Sequence, residues 1–288
     1  MTGVMTHHRW MPGGEPVVLA FSGLRSTYLE LQPLLKALNA HGCSVFSPQL
    51  RGYGFSSDPA THTWRDWLTE ALAHFDELVS RHSQVFVCGL SMGATLALAV
   101  AAERGDQVAG VIPLSATLHY DGWNTPWYRF LSPLGYFTPL RHRMVIRESS
   151  PFGLKDERLR AWIERQVAAE PITAVGASAL SLPALHEAAR LMKHTRRSLV
   201  RITAPIQLVH SLEDDIAHIR SAYEVQRKVS SLDVRLLRLA NSYHMVTLDY
   251  EKAAVSRTVC DFLDFYMASD SAESVHTPQP LLAEGLYR

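Results

Sequence analysis

The segment Val85 to Ala102 constrains this chain more than any other, because it runs for 18 residues without a charge. That is near the length of a membrane span, yet Gly89-Leu90-Ser91-Met92-Gly93 sits in its middle. An apolar strand, Val85-Phe86-Val87-Cys88, leads into the pentad, and an alanine-rich helix from Ala94 to Glu103 leads out of it. The segment is therefore expected to be strand, sharp turn and helix, buried in a globular protein. G-x-S-x-G in that setting has the layout of a nucleophile elbow. The serine must stand in a strained backbone conformation with its Oγ raised at the helix N-terminus, where the helix dipole favours negative charge. Three small fixed residues recur by chance in about one chain in ten of this length, so the flanking strand and helix carry the signal.

Around this segment, apolar strands and amphipathic helices alternate. Val17 to Phe21 is a continuous apolar run, as expected for a strand buried on both faces of a parallel sheet. A helix with Tyr28, Leu31, Leu34, Leu35 and Leu38 on one face follows, then a strand Cys43 to Phe46 and a loop Arg51-Gly52-Tyr53-Gly54. Trp64, Trp67, Leu68, Ala71, Leu72, Phe75, Leu78 and Val79 form a stripe at helical spacing, read as core packing. Val108 to Leu114 is another strand. The alternation resumes with Ile206 to Val209, a helix Ala217 to Val229, a strand Val234 to Leu239 and a closing helix through Tyr266.

This pattern predicts an α/β fold, a mostly parallel central sheet with helices on both faces and right-handed crossovers. Residues 119–197 break it. They are aromatic and helical in period with no convincing strand, and are expected to form an inserted, mainly helical cap. The core then comprises residues 16–118 and 198–268, with flexible tails at 1–15 and 269–288.

Composition narrows the partners. Lys+Arg and Asp+Glu each total 28, so the formal net charge is zero. Nucleic acid and anionic membrane surfaces favour a clustered positive field and are not expected partners. No basic stretch leads into an apolar run at the start, so no signal peptide and no integral membrane insertion are expected. Cys43, Cys88 and Cys260 are too few and too scattered for a disulfide framework or a zinc cage, which points to a reducing, cytoplasmic compartment. Oligomeric state is not legible here.

A serine hydroxyl needs a base to take its proton, and that base needs an acid to orient it. Just past the strand at 206–210 comes Ser211-Leu212-Glu213-Asp214-Asp215-Ile216, and past the strand at 234–239 comes Asn241-Ser242-Tyr243-His244-Met245. The order Ser91, Asp214, His244 is the Ser…Asp/Glu…His order of a hydrolase sheet. His244 stands out from thirteen other histidines by its place after a strand, His210 reads as structural and His218 as helical. Asp215 and Glu213 compete with Asp214 for the acid.

Gly-Leu-Ser-Met-Gly at 89–93, Val-His-Ser-Leu-Glu-Asp-Asp at 209–215 and Ser-Tyr-His-Met-Val-Thr-Leu-Asp at 242–249 resemble the cap-bearing α/β-hydrolases of the bacterial carboxylesterase and monoacylglycerol lipase group. The similarity spans roughly residues 16–118 and 200–266. It implies Asp214 as the acid, by its spacing from His210, and His244 as the base. An oxyanion hole takes one N–H from the residue after the nucleophile, Met92. The resemblance implies Leu24 for the second, in Phe21-Ser22-Gly23-Leu24, where Ser22 replaces the family's usual histidine.

The expected activity is cleavage of carboxylic esters through an acyl-enzyme, with a small-molecule ester as substrate and no metal or cofactor required. Trp123, Trp127, Tyr128, Phe130 and Phe137 crowd the cap. Most of such a cluster packs cap on core, and part of it is expected to line a hydrophobic acyl or alcohol pocket. Arg141, His142, Arg143 and Arg147 read as a solvated face. Thioester hydrolysis and acyl transfer use the same triad and are the alternatives, with a non-catalytic binding protein a more distant one.

Overall fold

A strand that separates two cores must be apolar on both sides, and that is the state of the central strands here. The computed structural model describes residues 8–54, 62–125, 145–147, 150–169, 172–173, 176–177 and 179–274. Its first part contains β1 (Arg9–Met11), β2 (Gly14–Phe21), α1 (Gln32–Ala40), β3 (Cys43–Ser47), α2 (Trp64–Val79), β4 (Val85–Leu90), α3 (Met92–Arg104) and β5 (Gly110–Leu114). Next come β6 (Val145–Arg147), α4 (Glu157–Ala169), β7 (Ile172–Thr173), β8 (Gly176–Ala177), β9 (Ala179–Ser181) and α5 (Leu182–Ser198). The chain then continues through β10 (Ile206–Ser211), α6 (Arg220–Lys228), β11 (Val234–Leu239) and α7 (Lys252–Ser274).

Seven strands make one sheet in the order β1-β3-β2-β4-β5-β10-β11. All neighbours run parallel except β1, which is antiparallel to β3. Val17, Leu19, Phe21, Val85 and Val87 face one core with α2, α3 and α5, while Val18, Ala20, Phe86, Cys88 and Leu90 face the other with α1 and α7. Side chains alternate across a strand, so both cores demand apolar residues and the run becomes continuous. α3 is buried at every position from Met92 to Ala102, all but its last two residues. Among the described residues no helix is long and apolar enough to cross a membrane. The tryptophan stripe of α2 is core: Trp67 is fully buried, its ring edge-on to Tyr53 at 5.3 Å.

Several local expectations give way. Part of the supposed lead-in is strand, since Arg9, Trp10 and Met11 pair with Ser47, Phe46 and Val45. Three residues of edge strand leave no periodic trace, and backbone pairing alone adds them to the sheet. Strands also occur inside 119–197, where β6 pairs with β9 and β7 with β8; at two or three residues each they are too short to show alternation. α7 runs past residue 268 to Ser274, because a polar composition does not by itself end a helix. α6 begins at Arg220 rather than Ala217, leaving His218 outside it. The Asp214 carboxylate accepts the Ile216 and Ala217 N–H bonds at 2.9 and 2.8 Å and holds those residues in a turn instead.

Candidate active site

The sheet delivers the chemistry-bearing residues to one edge. Ser91 follows β4, Ser115 follows β5, Asp214 lies beyond β10 and His244 beyond β11, each past the C-terminal end of a parallel strand. That edge is where open α/β sheets place ligands.

Ser91 has φ 59° and ψ −120°, the strained geometry of an elbow, and its N–H donates to Leu114 O at 3.0 Å. The glycines on either side are there for space. A Cβ on Gly93 would stand 2.1 Å from Phe21 O, and one on Gly89 would stand 2.2 Å from Gly93 O. Gly93→Ala is therefore expected to destabilise the protein by about 3 kcal/mol, read as a fall of several degrees in Tm. An unchanged Tm by thermal denaturation contradicts this packing.

Asp214 and His244 are buried and paired. His244 Nδ1 lies 2.9 and 2.8 Å from the two Asp214 oxygens. His210 Nε2 donates to Ala217 O at 2.8 Å and lies 3.3 Å from Asp214 Oδ2, so this fully buried histidine braces the acid. Burial alone would raise the Asp214 pKa. The charge of His244 and the hydrogen bonds from His210 and His244 outweigh it and hold the carboxyl well below the usual range. For His244, burial favours the neutral ring, but Asp214, then Asp215 and Glu30, turn the balance and raise its pKa above the ordinary 6.5.

The rival acids point elsewhere. Glu213 is exposed and pairs with Lys155 Nζ at 2.9 Å. Asp215 accepts the backbone N–H groups of His244 and Gly153 at 3.3 and 3.2 Å, not the imidazole. His244 Nε2 is buried and has no hydrogen-bond partner among the described residues. Ser91 Oγ lies instead 3.3 Å from Thr117 Oγ1. Such loose geometry is common without substrate.

Met92 is the first residue of α3, where an N–H has no carbonyl partner within the helix. Leu24 lies in a loop against the nucleophile, since a Cβ on Gly23 would stand 3.7 Å from Ser91 Cβ. Tyr53 grips that loop: its hydroxyl donates to Ser22 O at 2.8 Å and its carbonyl accepts the Arg25 N–H at 2.9 Å. Cysteine does not compete as nucleophile. Burial pushes the Cys43 thiol up to about 11 and Cys88 up to about 12.

Of the expected substrate contacts, Trp123 is 59 % exposed, donates its indole N–H to Glu213 O at 3.0 Å and stands edge-on to Tyr243 at 5.4 Å. Trp127, Tyr128, Phe130 and Phe137 lie outside the described residues. One residue of the final motif does more than mark the histidine. Asp249 is fully buried, and its two oxygens accept N–H bonds from Lys155, Asp156, Tyr243 and Tyr250 at 2.8 to 2.9 Å. It ties the loop before α4 to the His244 loop. Its place in the Ser-Tyr-His-Met-Val-Thr-Leu-Asp run was the only sequence signal for it.

Sheet, elbow and the paired Asp214 and His244 define an α/β-hydrolase. The protein family described as serine aminopeptidase, S33, matches residues 14–251, and the chain belongs to it. The thermostable monoacylglycerol lipase of Bacillus sp. (strain H-257) is 29 % identical over 258 residues, 86 % of this chain and 90 % of the relative. The carboxylesterase of Bacillus subtilis (strain 168) is 23 % identical over 254 residues, 88 % of this chain and 94 % of the relative. Among solved structures, a soluble variant of the Saccharomyces cerevisiae monoglyceride lipase in complex with a substrate analog superposes with a TM-score of 0.75 at 18 % identity, covering 90 % of this chain and 91 % of that one.

Proposed function

We propose that the protein is a serine hydrolase that cleaves carboxylic esters with a hydrophobic acyl or alcohol part through an acyl-enzyme. His244 Nε2 takes the proton from Ser91 Oγ, while Asp214 orients the ring through Nδ1 and stabilises its charged form. Ser91 attacks the ester carbonyl, and the N–H groups of Leu24 and Met92 receive the oxyanion. His244 then protonates the leaving alcohol and activates the water that releases the acid. The observation that carries this reading is the Asp214 carboxylate at 2.8 Å on His244 Nδ1, with Nε2 left open on the strand edge that presents the strained Ser91. The two Bacillus relatives, one a lipase and one a carboxylesterase, support ester over peptide bonds.

The reading takes residues 119–197 as a cap, with Trp123 as a contributor to the substrate path, supported by its contacts with Glu213 O and with the Tyr243 ring beside His244. The reading carries a cytoplasmic location, supported by three unpaired cysteines. The experiment is hydrolysis of p-nitrophenyl esters from acetate to palmitate, beside thioesters and amino-acid p-nitroanilides. Turnover of the esters, with an optimum beyond acetate, is the expected result. Turnover confined to thioesters or p-nitroanilides overturns it.

The rate also has an expected pH dependence. A base must be neutral, and the His244 pKa is raised, so neutral imidazole is reached only above the ordinary 6.5. Ester kcat/KM is expected to fall as pH drops through that raised value, with the midpoint of the acid limb above 6.5. A midpoint below 6 in a pH–rate profile contradicts the assignment.

A further inference from the structure

Glu30 is a carboxylate buried to 3 % exposure at the end of a short 3-10 turn, Tyr28–Glu30, beside the apolar Leu31, Leu34 and Leu35. Burying a carboxylate is costly unless donors meet it. Two donors reach it from one loop: Oε1 accepts the Gly23 N–H and Oε2 accepts the Ser26 hydroxyl. Its backbone carbonyl accepts the hydroxyl of Thr247, three residues after His244.

We propose that Glu30 is a positioning residue for ester cleavage, whose carboxylate fixes the Ser22-Gly23-Leu24 loop so that the Leu24 N–H faces the carbonyl oxygen on Ser91. The assignment rests on the esterase reading above and gives it a source of order. Along residues 23 to 26, Gly23 N–H is held by Glu30, Arg25 N–H by Tyr53 O and Ser26 N–H by Gly23 O. The Leu24 N–H alone in that stretch meets no acceptor among the described residues. Pinning the neighbours on both sides leaves one donor free and fixes where it points. Ser22 offers no long side chain to brace this loop, and Glu30 braces it from below. Through Thr247 the same residue joins the oxyanion loop to the histidine loop, so two catalytic groups share one anchor.

Glu30→Gln keeps the side chain's size but removes its charge. With the amide oxygen on the Gly23 N–H, the NH2 meets Ser26 Oγ as a donor, so two charge-assisted bonds become weaker neutral ones and the Ser26 hydroxyl must turn its proton elsewhere. Ser26→Ala removes one partner and leaves the carboxylate in place. The test is kcat and KM on p-nitrophenyl butyrate, normalised per active site by titration with a fluorophosphonate, with Tm alongside. For Glu30→Gln, per-site kcat is expected to fall about tenfold or more with KM within about threefold. Ser26→Ala is expected to show a smaller loss, about threefold or more, of the same kind.

A residue that served folding alone would lower the titratable fraction and leave per-site kcat unchanged, and that outcome overturns the proposal. Per-site kcat within about twofold of wild type in both variants also overturns it. Should Glu30→Gln not fold, the Ser26→Ala result decides. A wild type that neither turns over esters nor takes the phosphonate sinks the esterase reading itself and this proposal with it. An active wild type with unchanged variants removes Glu30 alone.

Discussion

Ser91→Ala is expected to lower ester kcat/KM by about 10⁶-fold, to the level that binding and the oxyanion donors alone sustain. The hydroxyl forms one hydrogen bond, to Thr117 Oγ1, and sits partly exposed at the head of α3. Its removal costs little in packing, and alanine keeps the backbone at the φ of 59° that serine already tolerates. The loss should therefore be chemical: Tm stays within a few degrees while turnover disappears. Measuring both on one preparation separates the two effects. Residual activity above about one per cent of wild type contradicts Ser91 as the nucleophile.

Asp214→Asn is expected to lower kcat by about 10⁴-fold. Asp214 Oδ1 already serves Ile216 and Ala217, so the asparagine oxygen is drawn to those N–H groups and its NH2 turns toward His244. An NH2 facing Nδ1 favours the ring tautomer with hydrogen on Nε2, which has no lone pair left for the Ser91 proton. The linkage sign follows from the same pair. The Asp214 pKa is lowered, so its contribution to stability is present above the ordinary 3.8 and fades as pH falls toward the folded value. Asparagine removes that contribution, and the midpoint of acid unfolding moves up in pH. Glu213→Gln is the control: its partner is Lys155 on the surface, and kcat should stay within about threefold of wild type. A larger fall for Glu213→Gln than for Asp214→Asn reverses the choice of acid.

Much of this site was legible because the strands that carry it are buried on both faces. Val17 to Phe21 and Val85 to Leu90 must satisfy two cores, and that demand writes itself into consecutive residues. Ser91 could be placed because it directly follows such a run, and His244 because it stands in the loop after the half-buried edge strand β11, within a specific motif. The acid could not be fixed from the residues alone, since Glu213, Asp214 and Asp215 are consecutive and differ only in direction. Direction there is set by backbone N–H groups at 216, 217, 244 and 153, two of which are close in the chain and two of which are not. Glu30 was not legible either. A glutamate next to an amphipathic stretch reads as a solvent-facing charge, and only the folded loop shows Gly23 and Ser26 converging on it. The edge strand β1 and the pair β6 and β9 depend on partners more than thirty residues along the chain, and β7 and β8 are two residues each, too short for periodicity to report.

The central claim is that Ser91 is a serine activated for attack. Wild-type protein treated with a fluorophosphonate, digested with trypsin and examined by mass spectrometry tests it most directly. One adduct is expected, on Ser91 within the peptide His82–Arg104, and prior denaturation abolishes it. An untouched Ser91, or an adduct on another residue, contradicts the account.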